Sequence, residues 1–271
     1  MQTVTIKGIQ ISRFIIGSNP FSGFSHQLPE IDLAMKRYFT SAKIKETLYE
    51  AESLGVNTLI ARVDNHVTRL LMEYWDEGGK LHWFAQTCPE IGNPETCAAK
   101  ASAGGAKACH IHGGVMDFLL AQDRTSEIPP VIDMIRQGGM LAGIGGHNPD
   151  VFRWAEDNLD VDYYMCCYYN SAHRDEKAEH VSGMCEWFLE EDRRIMTDLI
   201  RTLSKPVIHY KILAAGRNDP KEAFEYAARA MRPTDAVCVG VFQKDNPDML
   251  NDDVRLLEES LSRCGRNQGD T

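Results

Sequence analysis

Leu141-Ala142-Gly143-Ile144-Gly145-Gly146-His147-Asn148-Pro149 reads as a strand that stops and hands the chain directly to a helix. The run is short, apolar and bounded by glycine and proline signals, as expected of a strand buried on both faces. Asn148-Pro149 is an N-cap followed by a first-turn proline, and beyond it Val151, Phe152 and Ala155 recur at helical spacing. Gly138-Gly139, just upstream, closes an earlier amphipathic stretch. Helix, strand and helix in immediate succession make one βα unit of a parallel sheet.

The same grammar recurs in both directions. Strands are predicted at Phe14–Asn19, Thr58–Asp64, Leu81–Cys88, Ala108–His112, Asp162–Asn170, Pro206–Leu213 and Ala236–Phe242, besides Leu141–His147. Helical spacing is found over Ser41–Leu54, Val67–Glu77, Pro94–Ala103, Pro130–Gln137, Pro149–Asn158, Leu189–Leu203, Pro220–Met231 and Pro247–Leu261. Asn93-Pro94, Asp219-Pro220 and Asn246-Pro247 repeat the cap-and-proline opening. Strict alternation over eight such units predicts an α/β fold of the (β/α)8 TIM-barrel type rather than an open doubly wound sheet. Thr3–Lys7 and Gln10–Arg13 flank Gly8 and are expected to form a short hairpin across the barrel floor. The barrel is assigned to residues 1–263 as a single domain, with a disordered tail at 264–271.

Composition narrows the function. The 271 residues are 43% hydrophobic, and no apolar run approaches the ~20 residues of a membrane span. The opening Met1-Gln-Thr-Val-Thr-Ile-Lys-Gly lacks the basic and apolar regions of a secretory signal, so a cytoplasmic protein is expected. Its eight cysteines include no Cys-x-x-Cys and read as small buried residues. A formal net charge of −10 argues against nucleic acid and favours a small-molecule partner.

In barrels of this kind the chemistry sits where strands end and loops begin. His110, His112, His147 and His209 all fall there, whereas only His82 begins a strand. His110-Ile111-His112 places both rings on one side of a strand, because side chains two apart share a face. His110, His112, His147 and His209 are therefore the candidate ligands of a divalent metal such as Zn or Mn, with Asp64 or Cys166 completing the shell. A hydrogen-bonded polar layer without metal is the alternative. His112, His147 and His209 are expected to converge on one pocket. Lys211 is a candidate anion anchor or base, and Arg62 and Asp64 are candidate catalytic groups or a simple ion pair. Arg217 and Lys244 follow the last two strands, where barrels often bind phosphate. Tyr163 to Asn170 offers aromatic walls for a flat ligand, and Phe21–Thr40 is expected to form a wall or lid.

In order and spacing, several segments resemble the aldo-keto reductase superfamily across nearly the whole chain. They are the opening Ile6–Gly17, Gly55-Val56-Asn57-Thr58, Ile111-His112, Gly143 to Asn148, Tyr168-Tyr169-Asn170, and Tyr210 to Arg217. The resemblance implies a barrel binding NAD(P), with Asn148 holding the nicotinamide carboxamide, Tyr169 stacking on its ring, and His112 as the catalytic histidine. It breaks at the proton donor: the positions for the family's Asp, Tyr and Lys fall on Ile60, Asn65 and near Thr87. The expectation is therefore a diverged member doing non-redox isomerase, lyase or hydratase chemistry on a small polar carbonyl or sugar-like substrate. The alternatives are an NAD(P)H-dependent reductase whose acid has moved to His110 or His66, and a ligand-binding barrel without turnover.

Overall fold

The computed structural model describes residues 1–172 and 186–269, and side chains up to Gly265. Strands β1 (Thr3–Ile6) and β2 (Ile9–Ser12) form an antiparallel hairpin. Eight parallel strands then close into a barrel in sequence order: β3 (Phe14–Gly17), β4 (Thr58–Arg62), β5 (His82–Gln86), β6 (Ala108–Ile111), β7 (Leu141–Gly146), β8 (Tyr163–Cys167), β9 (Val207–Tyr210) and β10 (Ala236–Val239). The circle closes where β10 pairs with β3, Cys238 lying opposite Ile15. The helices are α1 (Pro29–Tyr38), α2 (Ser41–Ser53), α3 (Asn65–Asp76), α4 (Pro94–Ala103), α5 (Gly113–Ala121), α6 (Ile128–Gln137), α7 (Pro149–Asn158), α8 (Glu190–Ile200), α9 (Pro220–Ala230) and α10 (Met249–Gly269). The predicted barrel and its hairpin are both present. None of the helices is long and apolar enough to cross a membrane among the described residues.

The caps work as their residue types dictate. The side chains of Asn93, Asn148 and Asp219 accept from the backbone N–H of Thr96, Asp150 and Glu222, satisfying donors that have no intrahelical partner.

Alternation along each strand divides the core in two. Ile15, Ile60, Phe84, Tyr163, Met165 and Ile208 point inward, and Val4, Ile6 and Ile11 of the hairpin seal the floor beneath them. The opposite set, including Leu59, Ile144 and Val207, packs under the helices. Tyr163 fills the barrel centre because β7 contributes a glycine there: a Cβ on Gly143 would lie 2.5 Å from the Tyr163 ring.

Two helices escaped the sequence reading. Helix α1 lies inside the segment read as a wall or lid, and α5 opens on Gly113-Gly114, which looks like a helix break. The last helix runs on to Gly269, where the sequence reading ended it at Leu261 and expected a disordered tail from 264. No proline stops it, and one glycine in a helix costs only about 1 kcal/mol.

Candidate active site

The strand ends open into a cavity of about 970 Å³. Its wall includes Arg62, Gln86, His112, His147, Tyr210 and Lys211 from the barrel mouth, and residues from Phe24 to Met35 of the segment after β3. That segment therefore forms a wall, as its position predicted.

Three side chains from different elements make a hydrogen-bonded chain ending at this cavity. Asp117, on the buried face of α5, accepts from the backbone N–H of His147 (3.0 Å) and Asn148 (3.1 Å) through Oδ1. Its Oδ2 lies 2.7 Å from His147 Nδ1, and a carboxylate only accepts, so the imidazole proton sits on Nδ1. Nε2 of the neutral ring is then the acceptor, facing the Tyr210 hydroxyl at 3.2 Å. The same hydroxyl lies 3.3 Å from the Gly146 carbonyl. Gly113 supports this geometry, since a Cβ there would stand 3.0 Å from the Gly146 nitrogen, the His147 ring and the Tyr210 hydroxyl.

His112 joins the cavity from the N-cap of α5. Its Nδ1 accepts the Gly114 N–H at 3.1 Å, which leaves its proton on Nε2 in the neutral form. Lys211 leaves β9 in the left-handed region, at φ 57°, a conformation costing about 1–2 kcal/mol for a residue with a Cβ. His26 is left-handed too, at φ 56°. The two meet at Glu186: Lys211 Nζ lies 3.4 Å and His26 Nδ1 3.1 Å from its carboxylate. Arg62 pairs with Asp64 (3.1 Å) and with Glu90, and lies over the Phe24 ring at 4.7 Å.

The expected four-histidine metal set is not assembled. His112 and His147 share the cavity, but His209 points the other way: on β9 the inward residues are Ile208 and Tyr210. The His209 ring is wholly buried between barrel and helices, 2.9 Å from the Tyr168 hydroxyl and 3.3 Å from Asp235. Burial raises the Asp235 carboxyl, but hydrogen bonds from His209 and Arg232 more than offset it and hold it well below the usual carboxylate range. His110 faces inward like His112 but one layer deeper, against Tyr163 (3.1 Å) and Gln86 (3.4 Å). Burial pushes its pKa down to about 3, so the ring stays neutral. Among the described residues no three His, Cys, Asp or Glu side chains are grouped closely enough to hold a metal ion. His173 and His180 lie outside the described residues.

The residues expected at nicotinamide, Asn148 and Tyr169, and Arg217, expected at phosphate, are engaged within the protein. The Asn148 amide oxygen is occupied in capping α7. Tyr169 is buried, its ring 5.2 Å from Phe188 and its hydroxyl accepting from Asn218 at 2.8 Å. Arg217 binds the carbonyls of Ala214 and His26, its guanidinium 4.4 Å over Phe188. None of the three lines the cavity, whereas the exposed Lys244 does. Asp64 is drawn away to cap α3 through Val67, and exposed His66 follows it on that helix. The Tyr163–Asn170 run is core rather than wall, with only Met165 reaching the cavity. Cys166, expected in the metal shell, is fully buried away from the cavity, and burial pushes its thiol far up, disfavouring the thiolate that a metal takes.

Asp117, Tyr210 and Glu186 were not anticipated. Asp117 sits on the unread helix α5. Tyr210 was hidden by the assumption that His209 and Lys211 face inward.

No family model matches the chain, and no curated protein sequence matches it. Solved structures do. A "putative aldo-keto reductase" from Pseudomonas aeruginosa is 15% identical, with a TM-score of 0.63 over 96% of both chains. A truncated 3-deoxy-D-arabino-heptulosonate 7-phosphate synthase from Thermotoga maritima is 13% identical, with a TM-score of 0.54 over 99% of this chain and 92% of the other. A spore coat polysaccharide biosynthesis protein from Bacillus subtilis is 11% identical, with a TM-score of 0.53 over 98% and 74%. At these identities the likeness is one of fold, and the fold is a (β/α)8 barrel.

Proposed function

We propose that this barrel is an enzyme moving protons on a small, polar, sugar-like carbonyl compound, in the manner of an isomerase or lyase. The observation that carries the reading is the Asp117–His147–Tyr210 chain, whose last hydroxyl stands in the cavity wall. In the forward step the Tyr210 oxygen takes a proton from the carbon next to the substrate carbonyl, while its own proton passes to His147 Nε2. The imidazolium so formed faces the Asp117 carboxylate, which orients and stabilises it. His112, with its proton on Nε2, donates to the carbonyl oxygen as enolate charge develops there. The Tyr210 proton then returns to the substrate while His147 Nε2 gives its proton back to the Tyr210 oxygen, so the relay ends as it began. Lys211 and Arg62, each paired with a carboxylate, and the exposed Lys244 give the mouth hydrogen-bond donors suited to a strongly polar substrate.

A divalent metal is not invoked, because the side chains expected to bind it are split between two layers of the fold. Reductase chemistry loses its support for the same kind of reason: the residues expected at the nicotinamide are engaged elsewhere. Solvent-exchange NMR tests the reading directly. In D2O, a panel of hydroxyaldehydes and hydroxyketones is expected to exchange C–H for C–D next to the carbonyl in the presence of the protein. Tyr210→Phe is expected to slow this by about 10²–10⁴. Exchange that Tyr210→Phe leaves intact would remove the relay from the mechanism, and no exchange with any member would favour a binding barrel.

A further inference from the structure

Helix α10 presents Met249, Asp252, Asp253 and Leu256 to the same cavity, at the three- and four-residue spacing of one helical face. Two adjacent carboxyl groups there differ in their circumstances. Asp252 is half-buried and paired with Arg255 at 3.1 Å, and that arginine is shared with Glu259 at 3.2 Å. Asp253 is 4% exposed, and its carboxyl makes no hydrogen bond or ion pair among the described residues. Its oxygens keep a little accessible surface, and Asp253 is one of the residues lining the cavity.

An ionisable group so enclosed is normally paired, because removing a charge from water costs several kcal/mol without a partner. Burial, with the neighbouring Asp252, pushes the Asp253 carboxyl up to about 7. The missing partner is best supplied from the cavity side. It is cationic rather than a neutral hydroxyl, because Asp252 adds a second negative charge and Arg255 is already divided between two carboxylates. Lys244 and Asp245, which also line this end, are both exposed and offset one another.

We propose that the α10 end of the cavity is a second subsite, in which Asp253 receives a primary ammonium group of the ligand. The ligand is then a bipolar molecule, with its carbonyl at Tyr210 and His112 and an ammonium group held against α10. The carbonyl half of that statement rests on the relay described above, whereas the ammonium subsite is read by binding alone.

Thermal shift at about pH 8 tests it, using putrescine as the ammonium probe, butanediol as its neutral counterpart, and potassium or magnesium chloride at matched ionic strength. Putrescine is expected to raise Tm in the wild type, with an apparent affinity about tenfold or more above that for Asp253→Asn. Butanediol and the salts are expected to leave Tm unchanged. Asp253→Ser is a second variant should the amide fold poorly. The proposal is overturned if putrescine gives no shift, if butanediol or salt matches it, or if both Asp253 variants respond like the wild type. Such a failure leaves the relay standing, because no turnover enters the measurement.

Discussion

Tyr210 reaches the cavity because a strand sends alternate side chains to opposite faces, and on β9 the inward positions are 208 and 210. Nothing in Val207-Ile208-His209-Tyr210 states that phase, since either alternation puts one aliphatic and one aromatic residue inside. Lys211 confuses the pattern further: its left-handed backbone turns it into the cavity although its parity matches outward-facing His209. His112 and His147 were legible because each follows a strand directly and begins a loop. Removing the carboxylate tests the relay at this scale. Asp117→Asn is expected to lower turnover by about 10²–10⁴, as wrong imidazole tautomers become available, and steady-state kinetics on the exchanging substrate checks it. Asp253 gives a stability prediction with a defined sign. Its folded pKa, about 7, is raised from the ordinary 3.8, so the folded state holds its proton where the unfolded chain has lost it. Stability is therefore highest below the unfolded value and is lost as pH rises towards about 7. Asp253→Asn is expected to gain Tm over the wild type by several degrees at about pH 8 and much less at about pH 4, read by calorimetry.

Helix α5 and strand β7 decide whether the relay can form at all. Asp117 comes from one and His147 from just past the other, and they meet because Gly113 lets the helix start lie against Gly146. Glycine disfavours helices, so Gly113-Gly114 gives no helix signal in the sequence, whereas here close approach outweighs propensity. Gly113→Ala is expected to fold with a loss of about 1–3 kcal/mol while reducing turnover at least tenfold. Denaturant unfolding and kinetics on the same preparation separate the two effects. The cap-and-proline openings were the most legible feature of the chain, because a side-chain acceptor and a missing N–H each satisfy a local need that tertiary packing does not alter.

At the scale of the whole molecule, alternation of strand and helix was sufficient to predict the barrel, since every unit meets the same demand to bury both strand faces. The site was less legible, because side chains from distant segments are brought together by register and by loops rather than by spacing. The proposed chemistry also departs from that of the aldo-keto reductases the sequence resembles. By the resemblance, the positions for the aldo-keto reductase Asp, Tyr and Lys fall on Ile60, Asn65 and near Thr87, and the side chains expected at the nicotinamide make other contacts within the protein. Stopped-flow oxidation of NADPH with simple aldehydes is expected to be slower than in an ordinary reductase of that fold by about 10²–10⁴. The central claim is that Asp117, His147 and Tyr210 act as one proton-transfer unit. A double-mutant cycle on the solvent-exchange rate measures this most directly, using Tyr210→Phe, His147→Gln and the two combined. The account predicts that all three lose about the same factor, because either change alone disables the unit. Losses that multiply in the double variant would contradict it.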